Sequence, residues 1–423
     1  MNSGRIEDIA AAILDYRGRT PPKSADGVKL LTAKVIKDGT IDETRLEYIT
    51  EETYSWWMRR GFPQQWDILL TTEAPLGEVT LLRSTEPVAL AQRVILLRCN
   101  PAIMDQLYLF AALRSPLMQD RLRQRATGTT VLGIKQRELR QVEVPLPPLP
   151  TQRKIASIFS AYDDLIENNN RRIKLLEELA QRVYRQWFVD FHYPGHENVP
   201  LVDSELGPIP RGWTVGTLSG VLSLLEAGSR PKGGIDPLEQ GVPSIGAENV
   251  VGLGQYDFGK EKFVSRSFFD QMRRGHVASG DVVLYKDGAY IGRVSLFRDG
   301  FPHTQCAVNE HVFVLRVNER YSQVLLYFWL AHPSNRDRVR VLNANSAQPG
   351  LNQEKLRALT LTIPPPALVR RFTETVEPMM GLLFRLALAT PCAREARDLL
   401  LPRLISGEVD VNELDIATPK AAE

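Results

Sequence analysis

PPLPTQRKIASIFSAYDDLIENNNRRIKLLEELAQRVYRQWFVDF, residues 147–191, is the stretch that decides the fold, and it lies near the middle of the 423-residue chain. Steps of four and three residues alternate along it, and every position they reach except Asn169 carries an apolar or aromatic side chain. This heptad spacing predicts a long helix whose partner is another long helix, with an ordinary amphipathic helix in a bundle core as the alternative. The seam consists of Ile155, Phe159, Tyr162, Ile166, Asn169, Ile173, Leu176, Ala180, Val183 and Trp187.

The residues around this seam set its ends and its width. Prolines at 145, 147, 148 and 150 end the preceding segment, and Thr151 is predicted to be the N-cap of the helix. Leu165, Leu179 and Phe188 widen the apolar stripe beyond a bare two-stranded seam. At 1.5 Å per residue, the span from Ile155 to Trp187 forms a rod of about 50 Å.

The composition is that of an ordinary globular protein, with 43% hydrophobic and 24% charged residues. No run approaches the roughly 18 apolar residues of a membrane helix, and the N-terminal segment, with its acidic residues, is not a signal peptide. Cys99, Cys306 and Cys392 form no CxxC pair and suit a reducing cytoplasm. The net charge of +2 is too small to indicate nucleic acid by itself, so any basic surface must be local.

The segments before and after the central stretch repeat each other. Four blocks recur in the same order, at an offset that settles at 217 residues, where Gly133 matches Gly350. This order predicts two copies of one domain, and two coincidentally similar α/β segments are the alternative. The blocks are LLTAKVI (30–36) with SIGAENV (244–250), WDILLTTEAPLGEVTLL (66–82) with GDVVLYKDGAYIGRVSLF (280–297), AQRVILLR (91–98) with NEHVFVLR (309–316), and GIKQRELRQVEVPLPPLPTQRKI (133–155) with GLNQEKLRALTLTIPPPALVRRF (350–372).

The repeat defines the organisation of the chain. The second copy leads into a second helical stretch, residues 367–389, which Pro378 is expected to kink or cap. We predict an α+β fold in which two similar mixed α/β domains are separated by two long antiparallel coiled-coil helices. The predicted boundaries are 1–146 for the first domain, 147–191 for the central helix, 192–211 for a linker, 212–366 for the second domain, and 367–410 for the distal helix and tail. Within the first domain we expect a helix over residues 5–15 and a buried strand at Val94–Arg98.

The motifs of catalysis are missing from the sequence. GTTVLGIK (128–135) lacks the GK pair of a phosphate-binding loop, and no GxGxxG opens a βαβ unit. His192 and His196 have the spacing of metal ligands, but no third ligand is apparent. Asp67 and Asp281 precede equivalent strands, where a turn or capping role is expected for both.

Polar and basic residues occur in matching loops of the two copies. Lys and Arg neutralise phosphates, whereas Asn, Gln, Arg and Thr also hydrogen-bond to base edges. A solvated charged face is the alternative for any single residue, and the match between the copies favours a binding surface for the set. The candidate DNA-binding residues are Arg19, Lys23, Arg121, Arg125, Thr129 and Lys135 in the first copy, and Arg230, Lys232, Lys286, Arg293, Asn345 and Gln348 in the second.

Three motifs resemble the DNA-specificity subunit of type I restriction-modification systems. They are the central stretch with its leading prolines (145–191), LGPIPRGWTVGTL (206–218) before the second copy, and RDLLLPRLISGEVDV (397–411). The resemblance spans essentially the whole chain, and its first and third motifs are the specific ones.

The resemblance implies that each copy is a target recognition domain for one half of a bipartite double-stranded DNA site, with the helices fixing the gap. Asn169 would then hold the helix register at some cost in stability. It implies no catalysis, metal or cofactor in this subunit. S-adenosylmethionine would belong to two methyltransferase subunits that modify adenine N6, and ATP and Mg²⁺ to motor-nuclease restriction subunits. A prokaryotic, cytoplasmic, nucleoid-associated location with no membrane partner is also implied.

Two rival functions are open at this point. One is a methyltransferase or nuclease whose catalytic motif is disguised. The other is a protein-only tether whose two heads bind partner proteins. A steep fall of DNA affinity with salt would favour DNA reading over the tether.

Overall fold

The computed structural model describes residues 2–16, 20–37, 39–128, 130–234, 240–344 and 350–418. The chain divides into two compact units, a first unit of Met1–Leu165 with Ala393–Glu423 and a second unit of Ile166–Cys392. Each unit takes part of two long helices, the central helix Leu149–Phe188 and the distal helix Pro366–Ser406.

The first unit is built on a four-stranded antiparallel sheet. Its strands lie in the order Ala10–Asp15, Val94–Cys99, Ile68–Thr72 and Leu76–Leu81. A mixed sheet orders Glu47–Ile49, Val28–Leu31 and Val88–Leu90, and two ribbons pair Ser3–Arg5 with Glu143–Pro145 and Ile36–Lys37 with Thr40–Ile41. The helices are Ile6–Ile9, Glu51–Trp57, Gln106–Arg114, Pro116–Gln124 and Gln136–Arg140, with a 3₁₀ turn at Glu43–Arg45.

The second unit has the same strand order, which confirms the predicted repeat. Its four-stranded sheet runs Leu222–Ala227, Val312–Val317, Asp281–Tyr285 and Val294–Phe297. The mixed sheet orders Phe263–Val264, Val242–Ile245 and Ala307–Val308, and ribbons pair Thr214–Thr217 with Thr360–Ile363, Val250–Gly252 with Gln255–Tyr256, and Leu201–Val202 with Ile209–Pro210. The helices are Leu218–Val221, Arg266–Gln271, Gln323–Ala331, Pro333–Ala344 and Gln353–Arg357, with 3₁₀ turns at His196–Asn198, Phe258–Lys260 and Gly288–Tyr290.

The heptad seam of the central helix is mostly buried. In the first unit Ile155 and Phe159 join the domain core. In the second unit the central and distal helices pack against each other, with the Phe188 and Phe372 ring centroids 4.9 Å apart. This packing makes both helices part of the core of the second unit, as the heptad spacing predicts. Seam residues that are buried are Ile155, Phe159, Ile166, Asn169, Ile173, Ala180 and Trp187, whereas Tyr162, Leu176 and Val183 are half-buried.

The width of the apolar stripe differs in part from the prediction. Phe188 is buried as expected, but Leu165 and Leu179 are 47% and 46% exposed. Tyr184, which the seam omits, is buried and stacks on Phe328 at 6.1 Å. The buried face of the helix therefore lies slightly to one side of the predicted seam, on the side where Tyr184 packs against the aromatic side chains of the second unit.

Two local predictions at helix ends are wrong. Only Ile6–Ile9 is helical near the N-terminus, and Ala10–Asp15 instead forms a strand that pairs with Val94–Cys99. Sheet pairing outweighs the helix propensity of the alanines. The central helix begins at Leu149, so Thr151 lies within it and donates its hydroxyl to Asn412 Oδ1 at 2.7 Å. Pro150 fits the first turn of the helix. Backbone N–H groups in the first turn have no acceptor within the helix, so the missing N–H of proline costs no hydrogen bond there.

The distal helix runs unbroken from Pro366 to Ser406, through Pro378 and Pro391. The expectation that Pro378 caps this helix is therefore wrong. By length and composition alone the helix could cross a membrane. Phe372, Val376 and Met380 of this helix are fully buried in the core of the second unit.

Candidate nucleic-acid interface

Both units contain one ion pair at the same place in the sheet. Asp67 accepts a hydrogen bond from Arg98 Nη2 at 2.6 Å, and Asp281 accepts one from Arg316 Nη2 at 2.7 Å. Each carboxylate also accepts from a backbone N–H three residues earlier, and the two are only 2% and 1% exposed. The structure confirms the predicted turn role of both aspartates. We call these the constant pairs, because their chemistry is identical in the two copies.

A second constant contact involves one arginine of each copy. Arg121 donates to the carbonyl of Glu143 at 2.6 Å, and Arg338 donates to the carbonyl of Thr360 at 2.8 Å. Both pairs of residues are 217 positions apart. In each unit the guanidinium therefore holds a helix against the ribbon strand that leads to a long helix.

Three segments of the first unit meet at one end of its four-stranded sheet. We call residues 72–77, 91–93, 127–128 and 130–135 the first edge. The Thr72 N–H bonds the Arg93 carbonyl at 2.8 Å, and the Ile134 N–H bonds the Thr72 carbonyl at 2.9 Å. Glu73 pairs with Arg93 at 3.4 Å, and both side chains are well exposed, at 40% and 50%.

The second unit has a matching second edge, which we define as residues 286–293, 309–311 and 350–351. The Lys286 N–H bonds the His311 carbonyl at 3.1 Å, and the Leu351 N–H bonds the Lys286 carbonyl at 2.8 Å. His311 Nδ1 lies 2.8 Å from Asp287 Oδ2, at the positions of Arg93 and Glu73. The backbone of the edge is thus repeated, but the side chains on it have changed.

An identical glycine supports the acid of each edge. A Cβ built on Gly133 would lie 3.3 Å from Glu73 Cγ, and one on Gly350 would lie 2.4 Å from Asp287 Oδ1. Gly350 also has a φ of +142°, which side-chain-bearing residues rarely adopt. In both copies the side chain of the edge acid lies directly against the backbone of this glycine.

The predicted DNA-binding residues of the first copy are dispersed. Lys23 pairs with Glu47 at 2.9 Å, and Arg125 lies 3.6 Å from Glu138. Arg121 is engaged by a backbone carbonyl, as described above. Lys135 is exposed and belongs to the first edge.

The predicted residues of the second copy lie closer together. Arg230 pairs with Glu310 of the second edge at 2.7 Å, and Lys286 pairs with Asp287 at 2.9 Å. Arg293 places its guanidinium carbon 3.8 Å from the Tyr290 ring centroid, and that ring is half exposed. Lys232 is exposed. Four predicted residues lie outside the described residues: Arg19, Thr129, Asn345 and Gln348.

The prediction from sequence missed the acidic and imidazole side chains of the edges. It selected basic residues and therefore passed over the acids Glu73, Asp287 and Glu310 and the imidazole of His311, and it also omitted Arg93. The signal was present in the repeat, since Glu73 and Asp287 align after equivalent strands. Among the described residues no three His, Cys, Asp or Glu side chains are grouped to bind a metal ion.

Comparison with known proteins gives the family. The family model of the type I restriction modification DNA specificity domain matches residues 5–178 and 210–367. The chain is 26% identical over 373 residues to the type I restriction enzyme MjaIX specificity subunit of Methanocaldococcus jannaschii, covering 86% of this chain and 82% of that one. It is 25% identical over 167 residues to the type I restriction enzyme EcoBI specificity subunit of Escherichia coli, covering 38% of this chain and 35% of that one. The fold matches the crystal structure of the type I S subunit from M. genitalium, with a TM-score of 0.57, 15% identity and 95% of each chain covered.

Two copies of a DNA specificity domain, each completed by a long helix, define the class of this molecule. The chain belongs to the type I restriction-modification DNA specificity family, as its motifs predicted.

Proposed function

We propose that this chain reads a bipartite DNA site, with one recognition unit for each half-site and the paired helices setting the distance between them. The observation that carries the proposal is the repeat, in which two units share strand order and constant pairs but differ in their edge side chains. A common scaffold with different reading residues suits two different half-sites.

The helices suit the spacing role because of their length. The central helix has 40 residues and the distal helix 41, which corresponds to about 60 Å each at 1.5 Å per residue. One turn of B-DNA is about 34–36 Å long, so such helices can span more than one turn. Asn169, buried in the seam, would fix their register.

The same helices would carry the partner subunits. Leu175 and Leu179 project from the central helix with 47% and 46% of their surface exposed. In a complex with two methyltransferase subunits these side chains would be covered, while restriction subunits would complete the assembly. Modification and cleavage chemistry would reside in those partners.

A binding selection tests the proposal. The chain, assembled with its methyltransferase subunits, would be offered random DNA duplexes, and bound molecules would be sequenced. We expect two short specific blocks separated by an unspecific spacer of fixed length, and affinity that falls steeply with salt. Recovery of no motif, or of one uninterrupted motif, would reject bipartite reading. Binding of protein partners alone, without DNA, would support the tether instead.

A further inference from the structure

We infer that the side-chain pairs of the two edges, Glu73–Arg93 in the first unit and Asp287–His311 in the second, contact base edges and set the sequence each unit reads. This inference rests on the proposed function and assigns its specificity to particular residues. The first edge would take guanine, and the second, which carries an imidazole in place of the guanidinium, would take a different base.

The internal repeat separates structural side chains from reading side chains. Residues that hold the domain together should be the same in both copies, as Asp67–Arg98 and Asp281–Arg316 are. Residues that read different half-sites should keep their positions and change their chemistry. The edges do so, because Glu73 becomes Asp287, Arg93 becomes His311 and Gln92 becomes Glu310.

Stability gives little reason to keep the Glu73–Arg93 pair of the first edge. The constant aspartates are almost fully buried, whereas the Glu73 and Arg93 side chains are 40% and 50% exposed. An ion pair as open as Glu73–Arg93 contributes about 0–1 kcal/mol. A role in binding accounts better for a pair placed at the same point of both units.

Backbone conformation at the first edge points in the same direction. Ala74 and Arg93 have φ values of 49° and 68°, and they are two of five non-glycine residues with positive φ among those described. Such conformations are costly and concentrate at functional sites. Here Ala74 directly follows Glu73, and Arg93 is the residue that pairs with Glu73.

The chemistry of the first edge decides its base. The Arg93 fork offers two parallel N–H donors, which match O6 and N7 of guanine, and Glu73 orients that fork. On the second edge both carboxylate oxygens of Glu310 are buried, with Oε1 2.7 Å from Arg230 Nε and 3.3 Å from His311 Nε2. Glu310 therefore positions His311, which is the better exposed side chain of the two.

Transplanting the first edge onto the second tests the inference. The triple variant Asp287→Glu, Glu310→Gln, His311→Arg would enter the binding selection in complex with the methyltransferase subunits. We expect one or two base positions of a single block to change towards guanine, by about 5- to 150-fold in preference. The other block and the spacer should be unchanged. His311→Arg alone should produce the same shift in part, which guards against misfolding of the triple variant.

A matched control is the exposed Arg185–Asp190 pair, 3.4 Å apart at the end of the central helix in the same unit. Asp190→Asn should leave both blocks as they are. An unchanged motif in the folded triple variant would overturn the inference while leaving bipartite reading intact. A uniform loss of affinity across all sequences would also overturn it, because that result marks a phosphate contact. Absence of any motif in the unmodified chain would reject the proposed function and this inference together.

Discussion

Substituting Asp163 with asparagine should destabilise the first unit severely. Asp163, on the central helix, accepts hydrogen bonds from Arg114 at 2.7 Å and from Arg397 at 2.6 Å. All three side chains are almost buried, with exposures of 13%, 13% and 10%. The Arg114 guanidinium also lies 5.0 Å from the ring centroids of Phe110 and Phe159.

The electrostatics of this triad give the expected size of the effect. Burial lowers the pKa of Arg114 below its ordinary value, and Asp163 offsets this only in part. Burial also works against the charged form of Arg397, but the hydrogen bonds that Arg397 donates to Asp163 and Asp398 outweigh it and raise that pKa. Asp163→Asn keeps the volume and leaves two buried cations without their shared anion. Removing one partner of a buried ion pair costs about 3–5 kcal/mol.

Stability would be measured by urea unfolding, with hydrogen exchange of peptides from the first unit as the probe. A probe specific to one unit is needed because a two-unit chain does not unfold in one step. Asp164→Asn is the matched control, because the neighbouring Asp164 is 65% exposed in its pair with Arg83. That change should cost no more than about 1 kcal/mol. Equal losses for the two variants would refute the reasoning.

The second unit supplies a rescue for this experiment. The positions 217 residues from Arg114, Asp163 and Arg397 hold Ala331, Met380 and Ala180, which belong to an apolar core. A triple variant carrying Ala, Met and Ala at the three first-unit positions should recover much of the lost stability, because well-packed apolar residues often replace a buried triad without loss. A triple variant less stable than Asp163→Asn would contradict this account.

Three further predictions concern the long helices. Asn169→Leu should raise the free energy of unfolding by about 1 kcal/mol and broaden the accepted DNA spacer; unchanged melting and spacing would count against a register role. Burial raises the pKa of Glu177, which accepts the Tyr327 hydroxyl at 2.7 Å. Because the folded unit favours the protonated carboxyl of Glu177, the stability of the unit should fall as pH rises from the ordinary glutamate range through the raised pKa. Glu177→Gln should remove this pH dependence of the stability measured by hydrogen exchange. Leu175→Ser with Leu179→Ser should change stability by less than about 0.5 kcal/mol. The double variant should nevertheless bind the methyltransferase subunits more weakly in size-exclusion chromatography. Unchanged tight binding would show that this helix face is not their binding surface.

Much of the architecture was predictable from sequence because its signals are local and periodic. The heptad steps from Ile155 to Trp187 require no knowledge of the partner helix, and the repeat fixes the strand order of one unit from the other. The errors lie where distant contacts outweigh local preference. Ala10–Asp15 is a strand because Val94–Cys99 supplies its hydrogen bonds, and the distal helix continues through Pro378 within a packed core.

The candidate site was less predictable, because the role of a charged side chain depends on what lies beside it. Sequence selects Arg121 as readily as Lys135, yet Arg121 is held by a carbonyl 22 residues away. The pairing of Glu73 with Arg93 joins residues that the chain separates by two strands, Leu76–Leu81 and Val88–Leu90.

By itself, the sequence determined the family, the two-fold repeat and the long helices, since these depend on spacing along one chain. Only the tertiary structure decided which charges are structural and which are exposed, because burial and ion pairing arise when distant segments meet. The central helix was visible from its heptads, whereas the edges became visible only once their strands were side by side.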